Sequence, residues 1–253
     1  MSEDPPDTWQ QADIGLGRQG AGPGVHAQSF FEVFTNGLPT DLQDQWFFQR
    51  KPPDIRLRVR CISPAIDAEV RAVIGGAIEP LLHAGVVRTF GWGHYVPETA
   101  RFGGSAAIAA AHRHFCRDTT LWREAVPSHA DERTRARLSQ QLVTEIGTAS
   151  AGTIGASSVW RRLLQLLDAS LPPLDGRHEQ PSTSRHPLLP PSPFVTKAHL
   201  VVAQSAADVA LVVRQVGPDI DATNLVALLV HFDCNRWGVD GPRQRAIALD
   251  DQV

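Results

Sequence analysis

Asp54-Ile55-Arg56-Leu57-Arg58-Val59-Arg60-Cys61 alternates apolar and arginine residues without a break, the period of a β-strand with one buried and one open face. Ile55, Leu57, Val59 and Cys61 fall on one side, and Arg56, Arg58 and Arg60 on the other, spaced roughly 6.6 Å apart along the strand. Three guanidinium groups in a row repel one another unless solvent, acidic partners or an anionic ligand surrounds them. The octet alone leaves two readings open, a solvated sheet face and an anion-binding face.

Outward from this strand, Trp46 to Arg50 reads as a second strand, with Lys51-Pro52-Pro53 marking a kink, a bulge or an edge position. On the other side, Pro64 to Ala84 carries Ile66, Val70, Val73, Ile74, Ile78, Leu81 and Leu82 at helical spacing, with Gly85 as the stop. Val86 to Tyr95 then reads as strand, and Ser105 to Arg123, Glu132 to Glu145 and Ser157 to Ala169 as helices. Residues 171–193 hold many prolines and little periodicity, and form a linker or excursion before helices at Lys197 to Val216 and Ala222 to Arg236. A short helix is expected from Gln28 to Phe34. Residues 1–27, polar and rich in Gly and Pro, are expected to be a loosely ordered lead-in with a short strand near Trp9 to Ile14. Strands first and helices after predict an α+β fold, an antiparallel or mixed sheet packed against several helices in a single domain over 28–253.

Bulk properties narrow the function classes. The chain has 253 residues, 42% of them hydrophobic, and a formal charge of −3, so it can bury a sizeable core and has no global attraction to nucleic acid or anionic membrane. Arg supplies 22 of the 24 basic side chains, Lys51 and Lys197 being the others, a bias that accords with a GC-rich genome. No apolar run approaches the roughly 20 residues of a membrane span, and the acidic start is unlike a signal peptide, so the expected location is cytoplasmic with no membrane partner. Cys61, Cys116 and Cys234 lie far apart with no CxxC pair, against a disulfide framework or structural zinc.

Several motifs invite chemistry. Gly15-Leu16-Gly17-Arg18-Gln19-Gly20 matches the dinucleotide fingerprint GxGxxG, but no hydrophobic strand is expected before it and Gly22-Pro23-Gly24 stands where a helix must start, so no cofactor is assigned to it. His112, His114 and Cys116 have the spacing HxHxC, yet alternate residues on a helix point about 200° apart, so the three cannot converge on a metal and are read as helix surface. Glu98 and Arg101 lie in a loop ending in Gly103-Gly104, readable as an intraloop ion pair or as part of a site. His231 follows six apolar residues and is expected to be at least partly buried, as a structural group or as a neutral proton carrier. Asn235 and Arg236 read as caps of the helix's last carbonyls. GxSxG, P-loop and HExxH signatures are absent.

Taken in order, Trp46 to Arg60, Glu98 to Gly104, Ala111 to Thr119 and His231 to Gly238 resemble the C-terminal elimination domain of class I lanthipeptide dehydratases, which also occurs as the stand-alone thiopeptide-type bacteriocin biosynthesis protein. The resemblance implies a lyase that eliminates glutamate from glutamylated Ser or Thr of a precursor peptide, leaving dehydroalanine or dehydrobutyrine, without cofactor or metal. It further implies a split system: a separate glutamyl-tRNA-dependent glutamylating enzyme and a leader-bearing precursor peptide as partners, and no direct contact with nucleic acid. The oligomeric state stays open, a homodimer being one option. Matched motif by motif, the family's catalytic positions fall on Arg56, Arg58, Glu98, Arg101 and His231, expected to share one pocket, while Arg60 keeps a structural role. Which of them is the general base is left open. Substrate-binding positions are expected at Asp54, Asp233, Asn235 and Arg236; Asp54 and Asp233 stand where the family often has His, and Phe102 replaces the usual Tyr. Guanidinium groups suit the two anions that β-elimination develops, and a neutral His suits the proton. Two alternatives remain: a pyridine-forming cycloaddition enzyme on the same fold, and a non-catalytic peptide-binding subunit.

Overall fold

The computed structural model describes residues 8–17, 23–61, 63–125, 138, 141–143, 145–148, 154–169, 193–217, 221–239 and 241–250. The chain forms two compact units, Met1–Pro97 and Glu98–Val253, and is α+β as the sequence predicts.

The first unit is a four-stranded sheet in the order β2-β3-β1-β4, where β1 is Thr8–Leu16, β2 Trp46–Lys51, β3 Asp54–Cys61 and β4 Val87–His94. Every pairing is antiparallel. Two helices, α1 (Pro23–Gly37) and α2 (Pro64–His83), pack on the sheet. The apolar side of β3 behaves as its alternation requires: Ile55, Leu57 and Val59 are buried with Ala12 and Ile14 of β1, Trp46 and Phe48 of β2, Phe31 and Phe34 of α1, and Val70, Ile74 and Ile78 of α2. Phe31 stacks within 5.5 Å of Trp46 and 4.6 Å of Phe48, anchoring α1. Ser63 starts α2 by accepting a hydrogen bond from the Ile66 amide at 3.2 Å, with Pro64 in the first turn.

Three expectations change here. The expected short strand near Trp9 is longer and lies between β3 and β4, so Thr8–Leu16 belongs to the sheet and not to a lead-in. The helix expected at Gln28 to Phe34 runs from Pro23 to Gly37. Pro52 and Pro53, joined by a cis peptide, form the two-residue turn between the paired Lys51 and Asp54, and so mark a hairpin. The GxGxxG run therefore starts at the end of β1 and is followed by α1, so a strand and a helix do flank it. What it lacks among the described residues is a parallel crossover, and Gly15 and Gly17 serve strand packing. A Cβ on Gly17 would lie 1.9 Å from the Gly85 carbonyl oxygen, and one on Gly15 2.2 Å from the Thr89 hydroxyl.

The second unit is helical among the described residues: the single turn α3 (Thr99–Phe102), then α4 (Ser105–Ala125), α5 (Ala156–Asp168), α6 (Pro193–Val216), α7 (Ala222–Trp237) and α8 (Gly241–Asp250). Positions 141–143 and 145–148 are helical, and the rest of the helix expected at Glu132 to Glu145 lies almost wholly outside the described residues, as does the Pro-rich excursion up to 192. Helix α7 is the centre of this unit, with Leu225 to Val230 all 0% exposed and contacts to α3, α4, α5 and α6. Asp221 caps its start by accepting from the Asn224 amide at 2.8 Å. Helix α6 is long and apolar enough to cross a membrane by length and composition, with a mean hydropathy of 1.2 over an 18-residue window, where the sequence reading finds no such run. Half of that window is buried, and α6 packs along α4, bound to it by Arg117–Asp208 at 2.6 Å and Arg113–Asp208 at 3.2 Å. Burial alone would raise the Asp208 carboxyl, but the hydrogen bonds and charges of Arg113 and Arg117 outweigh it and hold it below the usual range. Helix α8 is not anticipated from the sequence.

Candidate functional site

In the first unit the candidate groups stand on the sheet face opposite α1 and α2. Register puts Arg58 between Gln11 of β1 and Phe47 of β2, and Arg56 between Asp13 and Gln49. Arg58 is 5% exposed. Its Nε donates to Gln11 Oε1 at 2.8 Å and its Nη1 to Gln49 Oε1 at 2.9 Å, while its guanidinium carbon lies 4.0 Å from the centre of the Tyr95 ring and 5.4 Å from that of Phe47. Two amides and two rings therefore help fix the plane and direction of this cation. Arg56 is more open: its Nε donates to the Pro52 carbonyl at 3.3 Å and lies 3.7 Å from an Asp13 oxygen. Arg60 donates to Gln45 at 3.2 Å. Asp54, expected at the substrate, accepts a hydrogen bond from the Leu16 amide at 2.8 Å and so ties the end of β1 to β3.

The second unit holds the other three expected catalytic residues. Glu98 precedes the turn α3, and Arg101, on its last turn, donates to the Glu98 carboxylate at 2.6 Å. Gly103 and Gly104 have φ of 91° and 118°, which a side chain would disfavour, and this lets the chain reverse from α3 directly into α4. Asn224 of α7 donates to the Arg101 carbonyl at 2.9 Å, and the Arg101 guanidinium carbon sits 5.8 Å from the ring centre of Phe232, the neighbour of His231. His231 is half-buried, with Nδ1 2.9 Å from Oε1 of Gln244 on α8. Gln244 is a residue the sequence reading misses, because α8 carries no strong periodic signal.

Two of the expected substrate-binding residues, Arg236 and Asp233, lie in a buried polar cluster. Arg236 is 0% exposed and donates to Asp118 and, at 3.3 Å, to Asp233. Asp233 is 7% exposed and also meets His114 Nε2 at 2.8 Å, while Ser205 lies 2.8 Å from the other ring nitrogen. Trp237 donates to Asp118 at 2.8 Å. These side chains bind one another, and they join α4, α6 and α7. The carboxyl of Asp118 is pushed up to about 6, first by burial and then by the charge of Asp233, against the pull of Arg236 and His114. Asn235, the fourth expected substrate contact, is half-buried on α7. The helix-surface reading of HxHxC also fails: His112, His114 and Cys116 are 6%, 3% and 7% exposed, because α4 is buried on more than one side. Among the described residues no three His, Cys, Asp or Glu side chains group as metal ligands would.

The first unit is a four-stranded antiparallel sheet bearing arginines, and the second is helical among the described residues and bears a Glu-Arg turn and a histidine, an α+β architecture. The chain belongs to the lantibiotic biosynthesis dehydratase C-terminal family, whose model matches residues 26–250. It is similar in structure to the tRNA-dependent lantibiotic dehydratase MibB from Microbispora sp. 107891, with a TM-score of 0.62 and 14% identity over 100% of this chain and 28% of that one. It is also similar to TbtD, the pyridine synthase from thiomuracin biosynthesis, with a TM-score of 0.59 and 14% identity over 97% of this chain and 96% of that one. At that identity the likenesses establish a shared fold. The chain thus spans 28% of the dehydratase's length. A search of curated proteins finds no match.

Proposed function

We propose that this protein is a carbon-oxygen lyase that eliminates glutamate from glutamylated Ser or Thr of a leader-bearing precursor peptide, working in the cytoplasm beside a separate glutamylating enzyme. The observation that carries the reading is the Arg58 guanidinium, fixed by Gln11 and Gln49 on a sheet face that also bears Arg56. In β-elimination a base takes the α-proton, electron density passes through the neighbouring carbonyl as an enolate, and the C–O bond to glutamate breaks with departure of a carboxylate. Both developing anions gain from cations that are already oriented, since no reorganisation is needed at the moment of reaction. Arg56, Arg58 and Arg101 supply those cations, Glu98 orients Arg101, and His231 carries the proton. Family membership supports a precursor peptide as the partner.

The second reading, a pyridine-forming cycloaddition enzyme, is favoured by one observation, the match over nearly the full length of a pyridine synthase. Incubating glutamylated peptide with the protein and reading masses separates the two. Wild type is expected to release glutamate, and Arg56→Ala or Arg101→Ala to slow release by about 100-fold or more, so that glutamyl adducts accumulate. Wild-type protein that leaves the adducts intact yet cyclises a dehydrated peptide would overturn the lyase reading.

A further inference from the structure

We propose that Gln244 is a positioning residue that fixes the tautomer of His231, making Nε2 the atom that gains and loses the proton. The inference rests on His231 being the proton carrier of the proposed reaction, but its structural half stands apart from that reaction. Gln244 is 3% exposed, and its side-chain amide makes two bonds. Its Nε2 donates to the Val239 carbonyl at 2.7 Å, and its Oε1 lies 2.9 Å from His231 Nδ1. A carbonyl oxygen only accepts, so the Val239 contact fixes which end of the amide is NH2. Reversing it would set two oxygen lone-pair groups against each other in a buried place.

Gln244 Oε1 then faces the ring, and because it too only accepts, Nδ1 must carry a hydrogen. The neutral imidazole therefore keeps its lone pair on Nε2. Protonation at Nε2 leaves the Nδ1 bond to Gln244 intact, so a proton can be taken up and returned without moving the ring. The choice of an amide has a further effect: a carboxylate here would also fix the tautomer, but would favour the imidazolium and consume the base at neutral pH. Gln244 is held by the left-handed turn at Gly238, which returns the chain from α7 to α8 and brings position 244 back to 231.

The test starts with wild-type protein labelled with 15N-histidine, His231 being assigned by its loss in His231→Gln. Long-range 1H–15N correlation above the ring's pKa is expected to show Nδ1 protonated and Nε2 unprotonated. Gln244→Met, close in shape but unable to accept, is expected to release the ring to a mixture of tautomers. It is also expected to lower kcat for glutamate elimination by about 10- to 100-fold with KM within about twofold, the scale on which partners of functional histidines act. A wild-type ring protonated on Nε2, or a Met variant that keeps the Nδ1–H signature, overturns the inference, and the wild-type measurement needs no variant to fold. If the tautomer shifts as expected while wild type releases no glutamate, the tautomer assignment holds and the lyase reading falls.

Discussion

Arg58 and Arg236 are both buried, 5% and 0% exposed, yet the two units treat them in opposite ways. Arg58 is gripped by the amide oxygens of Gln11 and Gln49 and by the Tyr95 ring, groups that direct a cation without neutralising it. Arg236 is set against the carboxylates of Asp118 and Asp233. The difference lies in what surrounds each cation, carboxylates around Arg236 and amides and a ring beside Arg58. Burial is common to both, and the chemistry of the neighbours separates them. In the cluster around Arg236, two carboxylates face one guanidinium, so neutrality needs one more proton, which Asp118 can hold. A cavity of about 20 Å³, room for roughly one water molecule, is bordered by His114, Asp118 and Asp233.

The contrast breaks most readily at Arg236. Arg236→Ala leaves two buried carboxylates facing each other, and is expected to cost about 3–5 kcal/mol in urea denaturation. Arg58→Ala is expected to cost less stability, about 1–3 kcal/mol for stranding two amide acceptors, but to slow glutamate release by about 100-fold or more. Equal losses of stability in the two variants would erase the distinction.

A smaller effect concerns pH. Asp118 binds its proton more tightly in the fold than in the unfolded chain, with its carboxyl raised from 3.8 to about 6. The folded state therefore holds more protons across that window, so this group's stabilisation is full below about pH 4 and lost as pH rises through about 6. The loss amounts to at most about 3 kcal/mol. Denaturation midpoints of wild type and Asp118→Asn at pH 4.5, 6 and 7.5 check it: the stability of wild type relative to the variant should fall with rising pH, since only wild type loses this group's contribution. A difference that stays constant over this range would remove Asp118 as the titrating group.

The smallest effect is expected on the open face of the sheet. Arg56 and Asp13 approach only to 3.7 Å, with 36% and 31% of their side chains exposed. Asp13→Ala should change stability by less than about 1 kcal/mol, and the change should shrink further at high salt. A larger cost would mean that Asp13 anchors this face as Asp118 anchors the helices, and would sharpen the search for a structural role of Arg56.

The sequence by itself determined what is local or periodic: the two faces of Asp54–Cys61, the span of α2 with its glycine stop, the apolar run of α7, and the ordered motifs that placed the chain near its family. These follow from side-chain period and backbone preference, which act over a few residues. Tertiary structure alone decided which charged groups meet. Arg58 and Gln11 lie 47 positions apart, and Arg236 and Asp118 lie 118 apart; strand register joins the first pair and helix packing the second. The same holds for β1, expected as a short strand in a lead-in but placed inside the sheet, for His114, read as surface but buried against Asp233, and for Gln244, carried to His231 by a turn whose outcome no repeat in the sequence announces. Burial and pairing are properties of the packed chain, since the cost of an unpaired charge is felt only once water has been excluded, and no run of residues states in advance where that will be.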